Sequence, residues 1–178
     1  EMKLTPDGSR VVFLADALVD ERDELFSVPI GGGAPVKISR TLGAGGNVID
    51  FEVSLNSSQV VYRADDFVDD QFELHSVPVA GGASTFISGS MVSGGDVFSS
   101  FQITRDSSCV VFRADRLADS VIELFSVPIA GGALTTLSGP LVAGGRVHWF
   151  KLSGDGSRVL YGADAEVAGE DQLYRVSI

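Results

Sequence analysis

The sequence repeats itself four times. The stretches SRVVFLAD, SQVVYRAD, SCVVFRAD and SRVLYGAD end at Asp16, Asp65, Asp115 and Asp164, at intervals of 49, 50 and 49 residues. Each leads into a second matching run, ELFSVPIGGGA, ELHSVPVAGGA, ELFSVPIAGGA and the shorter QLYRVSI, which begin at Glu24, Glu73, Glu123 and Gln172. A third match, VKIS, TFIS and TTLS, closes the first three units. Such a period restricts the chain to architectures that stack one supersecondary unit on its copies, because a single unit of this size cannot bury its own apolar face. The units run over about 1–46, 47–95, 96–145 and 146–178, within one domain of 178 residues.

Within a unit, Val, Ile, Phe and Tyr dominate short runs separated by Gly, Asp, Ser and Pro, which is strand rather than helix composition. Four strands are expected, A to D. PDGS, LNSS, RDSS and GDGS join A to B. Asp-Gly supplies the positive φ that a two-residue hairpin needs, with Asn and Ser the poorer substitutes. Gly-Gly pairs (Gly32-Gly33, Gly81-Gly82, Gly131-Gly132) mark the turn from C to D. Pro29, Pro78 and Pro128 lack a ladder donor and belong at the end of strand C.

Four antiparallel strands per unit of this length is the pattern of a β-propeller blade, so the fold class is all-β. The run from DGSRVVF through ELFSVPIGGGAPVKIS resembles the TolB-type, WD-like propeller repeat, and the resemblance covers essentially the whole chain. It implies a propeller scaffold and a periplasmic or extracellular setting. Three complete units and a fourth lacking its outer strand supply 15 strands. Propellers close with about 4–8 blades. The chain is therefore a four-bladed ring, an arc of a larger propeller, or an arc that a second copy completes. Because the pattern starts and stops within a unit, a piece of a longer protein is expected.

Charge narrows the partners. Lys and Arg total 13 against 24 Asp and Glu, a formal net charge of −11. That field repels nucleic acid and anionic membrane surfaces and favours cations and basic partners. No apolar run approaches the roughly 18–20 residues of a membrane-spanning helix. The single cysteine, Cys109, lies in an apolar strand and reads as a small core residue.

The acidic residues concentrate in the loops between B and C, which the resemblance places with the D-to-A linkers on one face of the disc. Three of these loops share an Asp-x3-Asp-x3-Glu spacing: Asp16/Asp20/Glu24, Asp65/Asp69/Glu73 and Asp115/Asp119/Glu123. The fourth keeps Asp164 but has Ala168 and Gln172. Oxygen-rich loops suit a hard cation, calcium above all, although the spacing is not that of an EF-hand and lacks its central glycine. The plainer reading, which repetition favours, makes the first Asp a turn-bonding residue at the hairpin mouth and the Glu the start of strand C. Asp66 and Asp70 are additions found only in the second loop, and His75 stands where Phe26 and Phe125 do, as a half-buried strand residue.

Other chemistry finds little support. The linker Gly43-Ala44-Gly45 would need a third glycine at Val48 to resemble a dinucleotide fingerprint, and no strand-to-helix context exists. There is no Gly-x-Ser-x-Gly elbow, and His75 and His148 occupy non-equivalent places. The inner strands A differ most between units. His148 and Trp149 are candidate ligand contacts there, Trp149 being the only tryptophan, with packing between blades as its plainer role. The expected function is a non-enzymatic scaffold that binds a protein, a peptide (basic by charge) or a cation through its acidic loop face. The alternatives are the gating propeller of a prolyl-oligopeptidase-like hydrolase and a carbohydrate-binding propeller. No cofactor beyond calcium is expected, and a homo-oligomer would complete the ring.

Overall fold

The computed structural model describes residues 1–178 and consists of fifteen β-strands without a helix. Blade 1 is β1 (Met2–Leu4), β2 (Arg10–Ala15), β3 (Glu24–Pro29) and β4 (Val36–Lys37); blade 2 is β5 (Val48–Val53), β6 (Gln59–Ala64), β7 (Glu73–Pro78) and β8 (Thr85–Phe86). Blade 3 is β9 (Gln102–Ile103), β10 (Cys109–Ala114), β11 (Glu123–Pro128) and β12 (Thr135–Thr136); blade 4 is β13 (Val147–Leu152), β14 (Arg158–Ala163) and β15 (Gln172–Ser177). Each blade is a separate antiparallel sheet whose strands pair in chain order. The expected strands A to D are therefore present, and the fourth blade lacks D.

The register repeats from blade to blade. Phe13 opposes Phe26, Tyr62 opposes His75, Phe112 opposes Phe125 and Tyr161 opposes Tyr174. These cross-strand rings stack with centroids 5.2–5.7 Å apart, pinning the two long strands of every blade in one alignment.

Burial occurs between blades rather than within them. Val12, Leu25, Ile38 and Leu42 of blade 1 pack on Phe51, Val60, Tyr62 and Val77 of blade 2. Val61, Leu74 and Ile87 on the other side of blade 2 pack on Phe101, Val110, Phe112 and Phe125. Val111, Leu124 and Leu137 then meet Phe150, Val159 and Tyr161. Successive side chains of a strand point to opposite faces, so β6 and β10 each serve two interfaces and read as continuous apolar runs.

No fourth cluster joins blade 4 to blade 1. Leu160 and Leu173 occupy the positions of the fully buried Val61 and Leu74, yet are 41% and 68% exposed. Met2 and Leu4, the counterparts of Phe51 and Val53, are 75% and 56% exposed. Of the ring alternatives left open by the sequence, this chain forms an open arc.

The A–B turns lock the opposite ends of the blades. Asp7, Asn56, Asp106 and Asp155 each accept, through Oδ1, the N–H of the serine two residues on, at 3.0–3.1 Å. The intervening Gly8, Ser57, Ser107 and Gly156 all have φ between 59° and 75°. The serines there are more than substitutes for glycine. Ser57 Oγ accepts the N–H of Asp7, and Ser107 Oγ accepts that of Asn56, so each joins its turn to the preceding blade.

Candidate functional site

The B–C loops and D–A linkers meet at one end of the sheets, and the first aspartate of each loop holds them together. Asp65 Oδ1 accepts the N–H of Asn47 at 2.6 Å, and its Oδ2 accepts that of Asp70 at 3.3 Å. Asp115 repeats this with Asp96 and Ser120, and Asp164 with Arg146 and Gly169. Asp16 accepts the equivalent N–H of its own loop, from Glu21, at 3.1 Å. The N–H groups of Gly169 and Arg146 hold the Asp164 carboxyl at about 2, well below its ordinary range.

The linker glycines follow from this closeness. Gly45, Gly94 and Gly144 have φ of 81–85°. A Cβ on Gly46, Gly95 or Gly145 would overlap the carbonyl oxygen of Asp65, Asp115 or Asp164. One glycine of each pair answers to backbone angle and the next to space.

The middle aspartates have a different place. A Cβ on Gly45 would lie 2.7 Å from Asp69 Oδ1, and one on Gly94 3.4 Å from the Asp119 carboxyl carbon, so both carboxylates cover the linker turn. Asp20 is exposed on the first loop. In the second loop, Asp65, Asp69 and Asp70 bring carboxylate oxygens within 4.8 Å of one another, with Asp69 and Asp70 exposed. A cavity of about 280 Å³ adjoins them, lined by Val68, Asp69, Asp70, Gln71, Ser93, Gly94 and Asp96.

The glutamates of the same spacing do not join this group. Glu24 and Glu73 are buried and Glu123 is half-buried, because each already belongs to the pleat of its strand. Burial pushes the Glu73 carboxyl up to about 7, although the N–H groups of Asp66 and Phe67 oppose the shift.

Around Glu73 lies a cluster that spacing alone did not reveal. Arg40 Nε, from the linker, is 2.9 Å from Asp66 Oδ2, which lies 3.7 Å from His75 Nε2. His75 is fully buried between Tyr62 and Phe86, and neither ring nitrogen has a hydrogen-bond partner. Burial, assisted by the Arg40 charge, lowers its pKa to about 4, so the ring is neutral. The signal was present in the repeat: Asp66 replaces Ala17, Arg116 and Ala165, and His75 replaces Phe26, Phe125 and Tyr174.

His148 and Trp149 make separate contacts. His148 Nε2 lies 3.2 Å from Asp164 and 3.1 Å from Asp171. The Trp149 indole lies against Gly162, where a Cβ would overlap it. In blades 2 and 3 that position carries Arg63 and Arg113, which reach Val97 O and Val147 O of the next blade. Trp149 thus fills room left by a missing arginine on the open face of blade 4, and it is exposed.

No family model matches the sequence, and no curated protein matches it significantly. Solved structures do. Putative TolB from Agrobacterium tumefaciens is 18% identical with a TM-score of 0.61, over 99% of this chain and 57% of that one. TolB from Acinetobacter baumannii is 14% identical with a TM-score of 0.61, over 100% and 40%. Porphyromonas gingivalis dipeptidyl peptidase 4 is 10% identical with a TM-score of 0.72, over 99% and 30%. The chain spans only part of each. At such identities the likeness speaks to fold, and the fold is that of a β-propeller, present as a four-blade arc.

Proposed function

We propose that this propeller arc is a non-enzymatic binding module whose acidic loop end receives a basic protein or peptide. The observation that carries this reading is the concentration of exposed carboxylates on the B–C loops: Asp20, Glu21 and Asp23, then Asp69 and Asp70, Asp119, and finally Glu166, Glu170 and Asp171. Against them those loops contain only Arg22 and Arg116. Like charges held on one rim focus a field that steers a basic partner and fades with salt. The test is fluorescence anisotropy with a lysine- and arginine-rich peptide. Asp69→Asn with Asp70→Asn is expected to weaken binding several-fold, and 0.5 M salt to abolish it. Binding indifferent to both changes would refute the reading.

Calcium is the proposed second occupant, at Asp65, Asp69 and Asp70; both Asp65 oxygens accept backbone N–H groups, so the two exposed aspartates supply the free oxygens. A rise in melting temperature from EDTA to millimolar calcium, lost in Asp69→Asn, supports the site. Identical melts remove it. The likeness to TolB structures supports a periplasmic or extracellular setting. The likeness to dipeptidyl peptidase 4 favours a second reading, in which the arc belongs to the propeller of a larger hydrolase. A Gly-x-Ser-x-Gly motif in the same polypeptide, beyond these residues, would support it.

A further inference from the structure

The glutamates that open the third strand of blades 1, 2 and 3 share one position in the blade but not one counter-ion. In blade 1, Lys37 on β4 forms an ion pair with Glu24. In blade 3, the positive charge of Arg116 counters the upward pull of burial on the Glu123 carboxyl. Blade 2 has neither cation: Phe86 stands in the register position of Lys37, and Asp66 in the loop position of Arg116. The neighbouring Arg40 also counters the upward pull of burial on Glu73, but its ion pair is with Asp66, and it lies over the Phe67 ring, 4.6 Å from the centroid. Glu73 is left without an ion-pair partner, and its Oε2 has no hydrogen bond.

Beside this carboxyl is a cavity of about 290 Å³, lined by Phe67, Gln71, Glu73, Phe86, Ser90 and Met91. Phe67 and Phe86 meet edge to face at 5.1 Å, and His75 closes the group at 6.0 and 5.5 Å from them. A buried carboxyl with no direct ion pair and one unbonded oxygen, beside aromatic rings and a thioether, is complementary to an amine on an apolar stem. The charge meets the acid, and the methylenes next to nitrogen carry partial positive charge to the ring faces. Blade 1 contains the same pairing within the chain, since Lys37 is itself an alkylammonium seated on the equivalent glutamate.

We infer that the blade 2 slot binds an alkylammonium group supplied from outside the chain, as the side chain of a partner's lysine or as a free small amine. The slot lies on the loop end assigned above to a basic partner, and it rests on that reading only for the source of the amine. Whether the slot takes an ammonium at all is measured with n-butylammonium alone.

The experiment is an NMR titration of the intact 178-residue chain at pH 8, where the Glu73 carboxyl is ionised, following the Gln71 side-chain amide, which donates to Val92 O at 2.9 Å beside the slot. Saturable binding with a dissociation constant of about 1 mM is expected for so small a ligand. Glu73→Gln should weaken it about tenfold or more, because it removes the charge facing the ammonium. Phe86→Lys should abolish it by supplying the cation in cis, as blade 1 does. Glu52→Gln, exposed on β5 and outside the slot lining, should leave it unchanged. Absence of saturation, or binding that survives Glu73→Gln, overturns the inference. So does binding lost in Asp69→Asn and retained in Glu73→Gln, which would assign the effect to the diffuse field of the loop end. A second titration with a blocked Gly-Lys-Gly peptide separates the sources: tighter binding than butylammonium favours a partner's lysine, and equal binding a free amine. Failure of butylammonium together with retained binding of the basic peptide to the rim would sink this inference and leave the wider function standing.

Discussion

At position 75 the second blade carries an imidazole where the other three carry Phe26, Phe125 and Tyr174, and two residues before it lies an acid that burial keeps protonated into the neutral range. Their effects on stability have opposite signs. Glu73 has its pKa raised from 4.5 to about 7, so the stability of its protonated form is full below 4.5 and is lost as pH rises toward 7. His75 has its pKa lowered from 6.5 to about 4, so its contribution is full above 6.5 and is lost as pH falls toward 4. Between 4.5 and 6.5 the two slopes oppose one another. Urea melts across that range should therefore show a flatter profile in the parent than in either single variant. Glu73→Gln leaves a protein that weakens on acidification, and His75→Phe one that weakens toward neutrality. At pH 7, His75→Phe should also raise stability by about 1 kcal/mol, because it removes two buried nitrogens without partners. Lower stability at pH 7 would show that the Phe26 and Phe125 environments are not a fair guide to this one.

The hairpins and linkers show which part of an element a sequence can express. Strand order, strand number and the positive φ of the A–B turns were legible, because they rest on side-chain period and on residue types within a few positions. The role of Ser57 was not, because its hydroxyl serves Asp7, fifty residues earlier. The inward turn of Glu24 and Glu73 was hidden for a related reason. A spacing of four within a loop does not say which residue already belongs to the pleat, and the pleat decided that Glu73 leaves Asp65 and Asp69. Asp70, adjacent in sequence and outside the repeated spacing, takes its place. Two variants test the linkage between elements. Ser57→Ala should cost about 1 kcal/mol, the worth of one hydrogen bond, by leaving the Asp7 N–H of blade 1 without its acceptor. Gly46→Ala should cost more, about 2 kcal/mol or above, since the Asp65 carbonyl must move to admit a methyl group. Both are read as changes in urea midpoint at constant slope. Equal midpoints for Gly46→Ala and the parent would show that the linker has slack the geometry denies.

As a whole molecule the arc carries two halves of one interface and joins neither. The forward face of blade 4 presents Leu160, Leu173 and Trp149; the backward face of blade 1 presents Met2, Leu4 and Ile30. In blades 2 and 3 the equivalent leucine and valine positions are fully buried, and burying one such side chain stabilises by about 1.5–3 kcal/mol. Another blade would cover an open apolar face of this kind, and in a solution of this chain alone the available blade surface is that of a second copy. Such a contact would be head to tail and would close into a ring only if the blade-to-blade rotation were shared equally; two copies would give eight blades, the upper end of the usual range of about 4–8. Sedimentation from micromolar to several hundred micromolar should therefore show association, with Trp149 emission shifting to shorter wavelength as the indole leaves water. Leu160→Lys with Leu173→Lys should return the chain to a monomer at every concentration while changing its urea midpoint little, because both side chains are exposed in the isolated arc. A monomeric mass and constant Trp149 emission across the whole range would show that the open faces stay solvated, and would remove the second copy as their partner.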